Sequence, residues 1–406
     1  MSLDSESAGT PGCRLSRRHY LDAQSVQYLM HSVAPSLAQW RDLTIDFEHY
    51  APYLWNAALS ACCGYSPSVH APHLQSLTLL YPHNDDSKEF TLFGGYAPRL
   101  DRVTLHGIRL TWLPSLFGNL TFLDYTHHGF TRGYNAASEL LAMVQISSHL
   151  QELRVSFPAR QAAQDHPSPF ASPIPKDASY LLADLHTLEL RIDGTGEISS
   201  ALIHFISHIS TPALRTLRLL SPSPSSHGHR PISTSLPRSQ DLSSRLQQLI
   251  KAFPRLFTVT SLEIEHIWLS DPRFAFSIIY LTPRLKHLIV RGLSVTNLFI
   301  LDLCDIIRNR ARSMSSYWVR QGVGIDVLEF DRCDCITGDA VADAVQYRLS
   351  EQGHGSYLKR VWVRNSSGVA SSSLKGARGY GIDLRLWVKD IEVDLGPRRR
   401  LRSPNR

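Results

Sequence analysis

The chain has 406 residues, 43% of them hydrophobic and 19% charged, with a formal net charge of +6. The apolar share is enough for a core, and the charge is too low for a chain that is disordered throughout. Five arginines, Arg398, Arg399, Arg400, Arg402 and Arg406, lie in the last eleven residues; without them the balance is 6 − 5 = +1, so the body carries no strong field of one sign.

Taken in chain order, the dominant pattern is a short phrase with apolar residues at relative positions 1, 4 and 6. It occurs as Trp40/Leu43/Ile45, Leu74/Leu77/Leu79, Leu100/Val103/Leu105, Leu120/Leu123/Tyr125, Leu150/Leu153/Val155 and Leu185/Leu188/Leu190 in the first half. It continues as Leu214/Leu217/Leu219, Val259/Leu262/Ile264, Leu285/Leu288/Val290, Ile325/Leu328/Phe330 and Leu358/Val361/Val363. The alternation between positions 4 and 6 is that of a strand with one buried face. Four copies carry a proline two residues before the first apolar residue: Pro72, Pro98, Pro212 and Pro283. With no N–H and a fixed φ, proline there separates the strand from what precedes it.

Between strands the apolar period changes from 2 to about 3.6. Ile198, Leu202, Phe205, Ile206 and Ile209 fall on one helical stripe, as do Leu242, Leu246, Leu249, Ile250 and Phe253. Each unit buries its leucines only by stacking on its neighbours, so the expected fold is an α/β solenoid. Its parallel strand ladder lines the concave side, with helices or irregular loops on the convex side. Leu188 and Leu217 are expected to be fully buried. Thr187 and Glu189, on the other face, should tolerate substitution at under about 0.5 kcal/mol.

The domain reading is a disordered segment at 1–18, one repeat domain over 19–395 and a basic disordered tail at 396–406. Two Pro- and Ser-rich stretches, 158–179 and 221–241, read as disordered loops, with Ser-Pro pairs at Ser168, Ser172, Ser221 and Ser223 as phosphate acceptors. The start MSLDSESAGT is too polar and acidic for a secretory leader, and no run of about 18 apolar residues occurs. The six cysteines show no disulfide framework, so a reducing compartment is expected, cytoplasmic or nuclear.

The phrase resembles the Leu-x-x-Leu-x-Leu strand of leucine-rich repeat proteins. The tenth unit, Ile325-x-x-Leu328-x-Phe330-x-x-Cys333-x-x-Ile336-Thr337, is similar to the cysteine-containing repeat of F-box proteins, and the resemblance implies that Cys333 turns inward. Residues 96–157 resemble the repeat region of fungal F-box and leucine-rich repeat proteins. That resemblance implies a substrate adaptor for a cullin-type ubiquitin ligase, although nothing near the N-terminus reads as the Leu-Pro-x-Glu-[Ile/Leu] opening of an F-box.

Catalytic signatures are absent from the sequence: there is no Gly-x-x-x-x-Gly-Lys-[Ser/Thr], His-Glu-x-x-His, Gly-x-Ser-x-Gly or Gly-x-Gly-x-x-Gly. Cys62-Cys63, Cys333-x-Cys335, His127-His128 and His227-x-His229 lack a second pair at zinc spacing and read as structural. No catalysis and no cofactor are expected. The function that follows is protein recognition by the face carrying positions 3, 5 and 7. From that face Arg154, Glu189, Arg191, Glu329, Arg360, Trp362 and Arg364 are the expected partner contacts, with the last three sharing one strand. Trp362 either forms a binding edge or is covered by residues 382–393, which alternate like further strands. The mixed charge argues against a nucleic-acid groove and for protein partners, ligase components among them. A nucleic-acid role through the basic tail and an enzyme on a repeat scaffold are the alternatives.

Overall fold

The computed structural model describes residues 22–47, 52–64, 69–84, 87–158, 179–192, 198–221, 239–254, 256–292, 295–313, 325–349, 358–377, 382–393 and 395. The expected N-terminal segment and basic tail, Ser168, Ser172, Ser223 and the His227/His229 pair lie outside them. The chain forms two compact units, Met1–His186 with Ile198–Ala213, and Thr187–Glu197 with Leu214–Arg406.

All eleven phrases are strands. The first unit holds β1 (Asp42–Asp46), β2 (Ser76–Leu80), β3 (Arg102–His106), β4 (Phe122–Thr126) and β5 (Glu152–Ser156). Each pairs in parallel with the next, and the position-4 residues meet rung by rung: Leu43 with Leu77, Leu77 with Val103, Val103 with Leu123, Leu123 with Leu153. In the second unit β6 (Thr187–Arg191), β7 (Thr216–Leu220), β8 (Ser261–Glu265), β9 (His287–Arg291), β10 (Val327–Asp331) and β11 (Arg360–Arg364) continue the same rule. There Leu188, Leu217, Leu262, Leu288, Leu328 and Val361 stand opposite one another in turn. A twelfth rung, β12 (Asp383–Val388), adds in parallel, and β13 (Ile391–Val393) closes that edge in antiparallel.

The register follows from burial, because a slip of one residue would turn every leucine to the opposite face. Leu77, Val103, Leu123, Leu153, Leu217, Leu262 and Leu288 are completely buried. Helices cover this face: Cys304 of helix Asn297–Ser313 and Val341, Ala344 and Val345 of helix Gly338–Leu349 meet Leu328, Phe330, Leu358 and Val361 around a gap of about 10 Å³. The two stripes read from sequence are helices Ser200–Ser207, capped by Ser199 through Ala201 N, and Ser239–Ala252. Cys333 does turn inward: it is fully buried, with Sγ 3.4 Å from the carbonyls of Val290 and Asp331.

The prolines have a more specific role than separating elements. Leu74 N donates to Ala71 O, Leu100 N to Ala97 O and Leu285 N to Thr282 O, at 3.0–3.2 Å, so Pro72, Pro98 and Pro283 each take the second place of a β-turn. Its fourth residue is the buried leucine that opens the phrase. Leu120, Leu150, Leu185 and Val259 close the same turn without proline, and Trp40 makes the same bond at the end of the 3-10 helix Ala34–Gln39.

Two expectations need correction. Glu189 is 3% exposed, because ion pairs draw its carboxylate down between neighbouring rungs, so it is not a freely presented residue. Ser221 is buried rather than a loop phosphate acceptor: its Oγ donates to Glu265 O at 3.4 Å and accepts from Ile267 N at 3.2 Å, and helix Ser239–Ala252 takes the far end of that stretch.

Candidate interaction face

Positions 3, 5 and 7 of each strand share the sheet face opposite the leucines. In the second unit the position-5 row reads Glu189, Arg218, Glu263, Ile289, Glu329, Trp362, Arg385, and the position-7 row reads Arg191, Leu220, Glu265, Arg291, Asp331, Arg364, Trp387. Acids and bases alternate along the rungs, and the structure pairs them. Glu189 takes Arg191 at 2.6 Å and Arg218 at 3.4 Å. Glu263 is shared by Arg218 and Arg291. Glu265 lies 3.2 Å from Arg291 and 3.5 Å from Arg332, while Asp331 takes the same two arginines at 2.9 and 3.5 Å. Glu329 meets Arg364 at 3.0 Å and His287 at 3.5 Å.

The pairs are layered. The side chains of Glu189, Glu263, Glu265, Glu329 and Asp331 are 4–12% exposed, whereas those of Arg191, Arg218, Arg291, Arg332 and Arg364 are 26–50% exposed. Burial pushes the Glu263 carboxyl up despite Arg291 and Arg218, and these carboxylates in turn hold the Arg291 guanidinium above its ordinary value against its own desolvation. Solvent therefore meets arginine edges fixed by acids beneath them, a preorganised surface that is neutral in sum.

At the far end the face turns aromatic. Trp362 stands edge-on to Trp387, with centroids 5.9 Å apart, and to His287 at 6.0 Å. Arg364 lies 4.7 Å over Trp387 and 5.7 Å from the Trp362 ring. Residues 382–393 extend the sheet beside Trp362, with Arg385 opposite it in register and the Trp387 ring against it, so they cover one side of the ring and leave the rest exposed. Trp362 is half-buried by same-face neighbours, and its Nε1 donor is buried without a hydrogen-bond partner among the described residues.

Of the residues read from sequence, Glu329, Arg360, Trp362 and Arg364 are on adjacent strands, and Glu189 and Arg191 lie four rungs from Glu329, roughly 19 Å at about 4.8 Å per rung, and five from the other three. Arg154 belongs to the first unit, where it pairs with Glu152 at 2.6 Å and covers the Phe122 ring at 5.0 Å. Arg218, Arg291 and Trp387 were not singled out from sequence. The position rule applied to every unit, and to the strand after β11, points to each of them.

A second cluster is buried in the first unit. His127 and His128 follow β4 and face Glu139 of helix Gly133–Ile146, with all three ligand-type atoms within 4.8 Å of one another. Their hydrogen bonding favours a polar network over a metal centre. Gly129 N donates to His127 Nδ1 and Phe130 N to His128 Nδ1, both at 3.0 Å. Each neutral ring therefore carries its proton on Nε2 and donates it inward, His128 to Glu139 Oε2 at 3.0 Å and His127 to Thr131 Oγ1 at 3.0 Å. A metal-bound imidazole does the reverse, donating through its other nitrogen.

The network has a pH signature. Burial, with the nearby His127, pushes His128 down to about 4 against the pull of Glu139; for Glu139, burial acts upward, but the hydrogen bonds from His127 and His128 outweigh it and hold the carboxyl well below its usual range. The unfolded chain binds the His128 proton between about pH 6.5 and 4 while the folded chain does not, so stability falls as pH falls through that window. The Glu139 contribution has the same sign below its unfolded value. Urea melts at pH 7 and pH 5 should differ by roughly 2 kcal/mol from this site, and His128→Gln should flatten the dependence; an unchanged slope in that variant would refute the assignment.

Fold and face together define a parallel strand ladder backed by helices, with a compensated charged face. No protein-family model matches the chain, and no curated protein does. Among solved structures, the crystal structure of the TLR13–ssRNA13 complex is similar with a TM-score of 0.37 and 12% identity, over 86% of this chain and 41% of that one. The chain thus spans less than half the length of that neighbour, and a likeness of this degree transfers no ligand.

Proposed function

We propose that the protein is a non-catalytic recognition module of the leucine-rich-repeat solenoid type, and that its β9–β12 face binds a protein partner. The observation that carries this is the Trp362, Trp387 and Arg364 cluster, where rings and a guanidinium edge meet beside a buried indole N–H without an acceptor among the described residues. Tryptophan and arginine are the side chains most often found as interface anchors, and an acidic or carbonyl-bearing surface suits their donors. Five carboxylates beneath the arginines speak against a phosphate backbone as the ligand of this face.

The finer reading is that of a substrate adaptor for a cullin-type ubiquitin ligase in the cytoplasm or nucleus, and its support is the sequence resemblance over residues 96–157 and in the Cys333 unit. Affinity capture with wild type and Trp362→Ala tests both levels. The variant should melt within about 1 kcal/mol of wild type, since the ring is half-exposed, and recover the partner about 30-fold less well, equivalent to about 2 kcal/mol. Equal recovery would remove the site. A ligase linker among the captured proteins would support the adaptor role, and a captured partner without one would leave recognition alone standing.

A further inference from the structure

Three successive turns in the first unit share one i to i+3 bond: Trp40 N donates to Leu37 O at the end of the 3-10 helix Ala34–Gln39, and Leu74 N to Ala71 O and Leu100 N to Ala97 O close β-turns. The third residue of each turn is Gln39, His73 and Arg99, so these side chains stack as a row across three rungs. The residues after the turns form a second row. Gln75 and Ser76 N–H groups both bond the Arg41 carbonyl, and Asp101 and Arg102 N–H groups both bond the Gln75 carbonyl, which locks this backbone to the ladder. Gln39, Arg41, His73, Gln75 and Arg99 together line a cleft of about 350 Å³ at the edge where the strands begin.

The charge of this cleft is unlike that of the sheet face. Arg41, His73 and Arg99 make no side-chain hydrogen bond or ion pair among the described residues, whereas Arg218, Arg291 and Arg364 of the second unit's face are matched to buried acids. No carboxylate lines the cleft; Asp101, which follows Gln75 in its row, is outside the lining. Further along the same edge an imidazole has a carboxylate beside it, with His149 3.3 Å from Asp184. Two unmatched guanidinium groups, an imidazole and two amides on a rigid backbone form a concentration of donors with no carboxylate in the lining.

We propose that this cleft binds a phosphomonoester group. Guanidinium forks pair with phosphate oxygens in two-point contacts, and a dianion with three terminal oxygens engages donors arriving from three rungs, which a two-oxygen carboxylate does not. The volume is at the lower end of ligand clefts, about 300–1,000 Å³, so it takes a small organic phosphate or a phosphorylated side chain with its immediate neighbours.

Titration calorimetry on the full chain with O-phosphoserine, serine, a phosphoserine peptide and its unphosphorylated form tests the proposal. O-phosphoserine should bind one-to-one and serine not at all. Arg41→Gln and Arg99→Gln should each weaken binding tenfold or more, with unchanged melting, because both side chains are exposed. Lys359→Gln, an exposed charge in the other unit paired to Asp326, should have no effect. A phosphoserine peptide tighter than O-phosphoserine assigns a protein source, and equal affinities assign a small molecule. Binding of serine or of the unphosphorylated peptide as tightly as the phosphorylated forms, full binding by the Arg41/Arg99 double variant, or an equal loss in Lys359→Gln would each overturn the proposal.

Discussion

Leu217→Ala should lower the unfolding free energy by about 2–5 kcal/mol, the range for large-to-small changes in a core that cannot collapse around the gap. Leu217 is fully buried in β7, with Leu188 and Leu262 in register on either side. The cavity would open in the middle of a rigid ladder, where neither neighbouring strand can shift without breaking its own pairing. Thr187→Ala, on the opposite face of β6 and half-buried, should cost under about 0.5 kcal/mol. Denaturant melts of the two variants decide the matter; equal losses would mean that the two faces of the strands are wrongly assigned.

The second large effect concerns a residue whose position on the exposed face suggests tolerance. Glu189→Ala should cost about 1–3 kcal/mol, because it removes the buried acid that Arg191 and Arg218 share. The cost stays below that of breaking a fully buried pair, since both guanidinium groups can regain water. Glu152→Ala in the first unit is the comparison: its carboxylate is 30% exposed beside Arg154, and such a pair contributes about 1 kcal/mol or less. A double-mutant cycle of Glu189→Ala with Arg218→Met should show coupling, and Glu189→Ala no more costly than Glu152→Ala would show that the network does not hold in solution.

Both expectations turn on what was legible in the chain. The strand phrase identified every rung up to β11 because its inward positions are set by one local rule, apolar at 1, 4 and 6, and burial allows no other register. The helices Ser200–Ser207 and Ser239–Ala252 were legible for the same reason, one apolar stripe each. The turn that Pro72, Pro98 and Pro283 share was visible only as a spacing; its i to i+3 bond, present also where proline is absent, needed coordinates. Glu189, Glu263 and Asp331 showed as outward residues, and sequence spacing carried no sign that they are the buried half of an ionic layer.

The sequence by itself determined the repeat, the face that holds the leucines and the identity of the outward residues, because each follows from period-2 alternation within a single strand. Only the tertiary structure decided which outward charges are neutralised and which are left unmatched. Arg291 meets Glu263, Glu265 and Asp331 across three strands far apart in the chain, while Arg41 and Arg99 meet no acid among the described residues. Partners of that kind are set by stacking order and rung spacing, distances that no local pattern in the chain encodes.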